Sequence, residues 1–194
     1  SPDDVLYIDG YLMDHPANRE AAEAALRALP EGVRVILDVS PVIGIPDGLP
    51  PTTLISMSTS EAAILWRDAD RKAIDVRSWL PAEDAPIAMA TLLRRDVVER
   101  AGKDGAYFTR YTDSAKLSST YIPSLSVEAI DTNGAGDAHT GVLAASLAQG
   151  TSMERALVLA NCAGALASTT VGPATCPPRT QIKAAADALA EQED

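Results

Sequence analysis

The chain reads as an α/β protein with a layered, largely parallel sheet, and three observations carry that reading. Short apolar runs alternate with segments of helical period, a glycine-rich turn opens a helix just after a strand end, and 46% hydrophobic content in 194 residues suffices for a sizeable core. Ligands of such sheets are expected at the carboxyl ends of the strands, and Asp131 follows such an end. No repeat, low-complexity run or linker divides the sequence, so residues 1–194 are read as a single α/β domain.

Each element has a local reason. Val5 to Ile8 is a short apolar run, and Asn18 to Leu29 carries Ala21, Ala22, Ala25, Leu26 and Leu29 at helical spacing until Pro30 and Gly32 stop it. Val33 to Leu37 reads as a second strand ending at Asp38, Gly44 to Pro51 as a loop, and Leu54 to Ser56 as a third strand. A helix opens near Ser60-Glu61, and Ala85 to Leu93 has helical character. Val97 to Arg100 and Ala106 to Tyr111 are expected as strands around the turn Gly102-Lys103-Asp104-Gly105, with Lys116 to Ile122 as another. Ala135 to Ala148 is a helix ending at Gly150. Thr151-Ser152-Met153-Glu154 has the spacing of a capping box and starts a helix running to about Ser168. A loop with Gly172, Pro173, Pro177 and Pro178 precedes a last helix, Gln181 to Ala190.

Charge and composition exclude several classes. Sixteen basic against 27 acidic side chains give a formal charge of −11, and no cluster of Lys and Arg offers a nucleic-acid surface. No segment approaches the roughly 20 apolar residues of a membrane span, so a soluble, cytoplasmic protein is expected. Cys162 and Cys176 are too few for a disulfide framework or a metal site and are expected as free thiols. His15, in Asp14-His15-Pro16, is expected in solvent. The sequence opens at Ser1-Pro2 with neither a signal peptide nor an initiator Met, so further residues are expected upstream.

The run Asp131-Thr132-Asn133-Gly134-Ala135-Gly136-Asp137 concentrates the chemistry. Gly134, Ala135 and Gly136 let backbone N–H groups approach an anion, and the helix that follows turns its positive end toward the same point. Asp137 adds an acceptor carboxylate able to take a proton from an attacking hydroxyl. A turn followed by a first-turn acid that complements the helix dipole would use the same residues.

The string resembles the signature of the ribokinase-like carbohydrate kinases, the phosphofructokinase-B type family, whose C-terminal half carries Asp-Thr-x-Gly-Ala-Gly-Asp at a helix start. Leu6 to Gly10, Val33 to Asp38, Ser58-Thr59-Ser60-Glu61, Arg100 to Ala106, and Ala160-Asn161 with Gly172 stand in the order of that family's C-terminal two-thirds. The resemblance thus covers nearly the whole chain. It implies a Rossmann-like, ribokinase-type layered sheet flanked by helices, with the N-terminal Gly-Gly sugar-binding segment and most of the lid missing. It further implies ATP and Mg²⁺ as cofactors, a sugar or nucleoside as substrate, and a homodimer of the full-length protein through the lid. Asp137 becomes the catalytic base and Gly134, Ala135 and Gly136 the anion hole, while Asn133, Gly102, Gly105 and Asn161 fall on the nucleotide side. Asp131 is implied as a ligand of a monovalent cation, K⁺ in many members, together with the loop from Ser168 to Gly172.

Departures and alternatives accompany each assignment. Where the family has Asn-x-x-Glu, which orders Mg²⁺ through water, this chain has Ser58-Thr59-Ser60-Glu61; Glu61 is either that metal residue or a first-turn acid. The Asp131 carboxylate either meets the cation or caps the turn, and Asn161 either nears the adenine or bonds a neighbouring loop. Gly102 and Gly105 also suit a plain hairpin, which demands φ > 0. His139 is expected in packing or a surface contact. The implied reaction is ATP-dependent phosphotransfer to an alcohol oxygen, with this fragment alone inactive. Two readings stand beside it: a catalytically silent nucleotide-binding module, and a hydroxymethylpyrimidine or pyridoxal kinase, whose string tends to end in Cys where this one has Asp137. No Walker-type Gly-x-x-x-x-Gly-Lys-Ser/Thr string occurs.

Overall fold

A computed structural model describes residues 4–40, 45, 48–69, 84–113 and 117–191. Gly44, Pro46 and Asp47 of the expected loop, and Lys116 of the expected strand, lie outside the described residues. Two compact units emerge, one of residues 1–100 and 107–121, the other of residues 101–106 and 122–194.

The first unit carries a six-stranded sheet in sequential order: β1 (Val5–Asp9), β2 (Arg34–Asp38), β3 (Leu54–Ser58), β4 (Asp96–Arg100), β5 (Ala106–Thr109) and β6 (Ser119–Ile122). Neighbours from β1 to β4 run parallel, with Ile8 opposite Leu37, Ile36 opposite Leu54 and Ile55 opposite Val97. Strands β2 to β4 are buried at three or four of their five positions, on both pleat faces, as expected of a sheet covered on both sides. The link from β4 to β5 is five residues, too short for a parallel crossover, so these two form an antiparallel hairpin closed by Ala101 N–H donating to the Gly105 carbonyl at 2.8 Å.

Helices α1 (Pro16–Arg27), α2 (Thr59–Ala69) and α3 (Asp84–Leu93) pack on one sheet face, where Ala22 and Leu26, Ala62 and Leu65, and Met89 and Ala90 meet Ile8, Leu37, Ile55, Met57 and Val97. Helix α1 starts at Pro16, whose missing N–H costs nothing at the first helical position. His15 caps it, its Nδ1 accepting from Ala17 N–H at 3.3 Å, so this exposed side chain has a local partner that composition did not disclose. Gly10, just after β1, is required by close approach: a Cβ there would lie 2.6 Å from the Ser40 carbonyl oxygen.

The second unit is built on α4 (Ala135–Ala148), α5 (Met153–Ala167) and α6 (Arg179–Ala190). Cys162, Ala163, Ile182 and Ala186 form its apolar centre with Val142, Val158 and Leu189 against them. The α5 cap is Ser152, whose Oγ accepts from Arg155 N–H at 3.3 Å; the expected capping box began one residue earlier, at Thr151. Gly164 lets α5 approach the first turn of α4, since a Cβ there would sit 3.0 Å from the Ala135 carbonyl oxygen. Both thiols are free, and burial pushes Cys162 up to about 11.

Candidate active site

The α4 N-terminus is unusual in what it lacks. Most helices place Ser, Thr, Asp or Asn at the N-cap, whose side chain accepts from the second or third helical N–H. Here the cap is Gly134, in the left-handed region at φ 77°, with no side chain to do so. Ala135 N–H reaches the Thr132 carbonyl at 3.2 Å, but the amides of Gly134, Gly136 and Asp137 have no acceptor among the described residues. Asp137 is exposed one turn into the helix. Gly134 and Asp137 line a cavity of about 300 Å³ with Ala138, Gly141, Pro173 and Cys176. Gly134 and Asp137, at the positive end of a 14-residue helix, therefore border one concavity with the open Gly136 amide between them in sequence, an arrangement suited to an anion undergoing attack by a hydroxyl.

The loop after α5 holds that turn in place. A Cβ on Gly134 would sit 1.9 Å from the Pro173 carbonyl oxygen, so only glycine fits. Asp131 ties the two segments together: Oδ1 accepts from Asn133 N–H and Oδ2 from Gly172 N–H, each at 2.9 Å. Those two bonds, Asn133 first, hold its carboxyl below the usual carboxylate range. The Ser168 carbonyl accepts from both Ile130 and Asp131 N–H, at 2.8 and 3.0 Å. Asp131 thus makes the turn-capping bonds of the plainer reading, and it reaches the loop that the cation reading involves.

Asn161 is buried in α5 and gives its amide hydrogens to the Ile122 and Pro123 carbonyls at 3.0 and 2.9 Å. That leaves its Oδ1 as acceptor, 3.1 Å from His139 Nε2, so the proton on His139 sits on Nε2 in this pair. Asn161 therefore bonds a neighbouring segment with both donors, and His139 is a packed side chain. Gly102 and Gly105 both have positive φ, 62° and 87°, at the start of the hairpin's 3₁₀ turn and just after its end.

The first unit holds a second polar cluster, at the carboxyl ends of β2, β3 and β4. Arg100 Nη1 donates to Asp38 Oδ2 and to Ser56 Oγ, both at 2.6 Å, and Nη2 donates to Asp38 Oδ1 at 3.1 Å and to Glu61 Oε2 at 3.4 Å. The side chains are 12%, 3% and 16% exposed for Arg100, Asp38 and Glu61. Burial works against the charged guanidinium, yet the Asp38 charge and hydrogen bonds and the Glu61 charge outweigh it and raise its pKa. Ser58 and Glu61 form a reciprocal capping box on α2: Ser58 N–H donates to Glu61 Oε2 at 2.6 Å, and Glu61 N–H donates to Ser58 Oγ at 3.2 Å. Sequence reading missed this cluster. The available signals were an arginine two residues after the apolar pair Val97-Val98 at a strand end and the spacing of Ser58 and Glu61.

Comparison with known proteins adds four findings. The model of a family described as pfkB family carbohydrate kinase matches residues 1–180. The uncharacterized sugar kinase YegV of Escherichia coli (strain K12) is 31% identical over 184 residues, a span that covers 89% of this chain and 50% of the relative. Among solved structures, a ribokinase from Thermotoga maritima superposes with a TM-score of 0.72 at 22% identity, covering 95% of this chain and 57% of the other. The aminoimidazole riboside kinase from Salmonella enterica, solved with aminoimidazole riboside and an ATP analogue, gives 0.69 at 22% identity, covering 93% and 62%. These two likenesses speak for the fold. The chain spans half the length of YegV.

Proposed function

The chain belongs to the pfkB family of carbohydrate kinases, and from that premise we propose that the whole protein transfers the γ-phosphoryl group of ATP to a hydroxyl of a sugar or related small molecule. The observation that carries this reading is the run of amides at Gly134, Gly136 and Asp137 with no acceptor among the described residues, beside a cavity that Gly134 and Asp137 line, with the Asp137 side chain exposed. In the reaction those N–H groups, with Ala135 in the same turn, stabilise charge on the transferring group as it forms. Asp137 accepts the proton of the acceptor hydroxyl as its oxygen attacks, which raises the nucleophilicity of that oxygen without a metal-bound base. Asn133, Gly102 and Gly105 are assigned to the nucleotide side; Asn161 supports that side through its bonds to Ile122 and Pro123. Asp131 is assigned to a monovalent cation such as K⁺, beside the loop it already binds at Gly172.

Among the described residues no group of three or more His, Cys, Asp or Glu is placed to hold a metal ion by itself. Mg²⁺ is accordingly read as entering on the nucleotide, where it neutralises charge on the β- and γ-phosphates. Sugar contacts and dimerisation are assigned to segments beyond this chain, and cytoplasm to the protein's place of action. The 194 residues by themselves are expected to bind nucleotide without turning over sugars.

A coupled phosphotransfer assay over a panel of sugars and nucleosides, run on the full-length protein, tests the proposal. Asp137→Asn is expected to lower turnover by roughly two to four orders of magnitude, the range for loss of a general base, with nucleotide affinity nearly unchanged. Binding without turnover in the unaltered protein would identify a silent nucleotide-binding module instead.

A further inference from the structure

We infer that Arg100 is the built-in cation of the cluster at the ends of β2, β3 and β4, and that Glu61 consequently takes no divalent ion in this protein. The inference concerns which groups of the proposed phosphotransferase carry positive charge. Its test uses neither nucleotide nor acceptor, so it fails independently of the kinase reading.

Three features support it. Both oxygens of Asp38 and one of Glu61 accept from the same guanidinium, and Nη2 alone serves both carboxylates. The Glu61 oxygen that meets Arg100 also accepts from Ser58 N–H, while Glu61 N–H returns to Ser58 Oγ, so the carboxylate is fixed from two sides. The guanidinium cannot vacate the position by losing its proton, because arginine stays charged at any accessible pH.

A magnesium ion demands near-octahedral oxygen coordination at about 2.1 Å and arrives with two positive charges. At Glu61 it would stand beside a guanidinium 3.4 Å from the same carboxylate, in a mostly buried position where like charges are poorly screened. Both oxygens of Asp38 and Oε2 of Glu61 are already engaged by the guanidinium, so an ion there would have to displace it. Arg100 thus does electrostatically what an ion would do: it neutralises Asp38 and partly neutralises Glu61. Being covalently attached, it needs no free ion and is not lost to a chelator.

The test is Mn²⁺ binding to the nucleotide-free chain, followed by loss of the free-ion electron paramagnetic resonance signal. Arg100→Met leaves Asp38 and Glu61 facing each other and is expected to gain one Mn²⁺ site at least tenfold tighter than any in the unaltered chain. Adding Glu61→Gln to that variant should remove the site. Absence of a gained site in folded Arg100→Met overturns the inference. Should Arg100→Met fail to fold, Glu61→Gln alone decides: the unaltered chain and this variant are expected to bind equal numbers of Mn²⁺ ions, and loss of one ion on Glu61→Gln overturns the inference.

Discussion

The two polar clusters of this chain differ in how completely their groups are satisfied. Around Arg100, five polar groups from three strand ends and a helix start bond one another, and the charges are largely buried. Around Gly134, three backbone donors lack acceptors among the described residues and a carboxylate stands exposed beside a cavity. Buried polar groups are paired, whereas the first N–H groups of a helix have no partner within it and stay open to water or a ligand. The first cluster therefore reads as structure, and the second is the feature on which the proposed anion site rests.

That contrast can be broken experimentally, beginning with the closed cluster, where the stability effects are largest. Arg100→Met strands Asp38 in the interior and is expected to destabilise the fold by about 3–5 kcal/mol, measured by urea unfolding. Adding Asp38→Asn should restore part of that loss, because the stranded charge is gone; no restoration would mean that the guanidinium acts through packing alone.

Gly134→Ala comes next. It meets both the left-handed φ of 77° and the Pro173 carbonyl, and should cost about 3 kcal/mol. Gly150→Ala has a similar φ, 75°, with nothing within 4 Å of the new methyl, and should cost about 1 kcal/mol. The difference between the two melting curves isolates the contact with the loop; equal losses would show that Pro173 does not press on the turn.

The smallest expected effect is a dependence on pH at Asp131. Its carboxyl is held below the ordinary range in the folded chain, so its contribution to stability is present above the unfolded-state pKa of about 4. That contribution is lost as pH falls through and below this value. The melting temperatures of the chain and of Asp131→Asn should accordingly converge as pH is lowered from about 6 to about 3. A gap that stays constant would remove Asn133 and Gly172 N–H as its cause.

Much of this was legible in the sequence, for reasons that differ by region. Helix α4 spans Ala135–Ala148, as its Gly boundaries and apolar content predict, and the hairpin at Gly102–Gly105 follows from glycines where φ is positive. These are local signals. The α1 boundaries shifted because Pro16 could start the helix earlier than its first apolar residue, and because the chain left the helix at Ala28, before Pro30. The Arg100 cluster stayed hidden because its partners lie 39, 44 and 62 residues away, and only the parallel order of β2, β3 and β4 brings them together. Ser58 and Glu61 carried a readable capping-box spacing, yet the same four residues also match a metal-ordering pattern, so spacing alone left them open. Likewise the Asn161 bonds to Ile122 and Pro123 depend on a contact 39 and 38 residues distant.

The central claim is that the open amides of the α4 turn receive the terminal phosphate of a nucleoside triphosphate. Backbone ¹⁵N–¹H resonances of Gly134, Gly136 and Asp137, followed during titration with the magnesium complex of a non-hydrolysable ATP analogue and separately with AMP, test it most directly. The account predicts large shifts at these three amides with the triphosphate and little movement with the monophosphate. Saturable binding of the triphosphate that leaves all three resonances in place would contradict it.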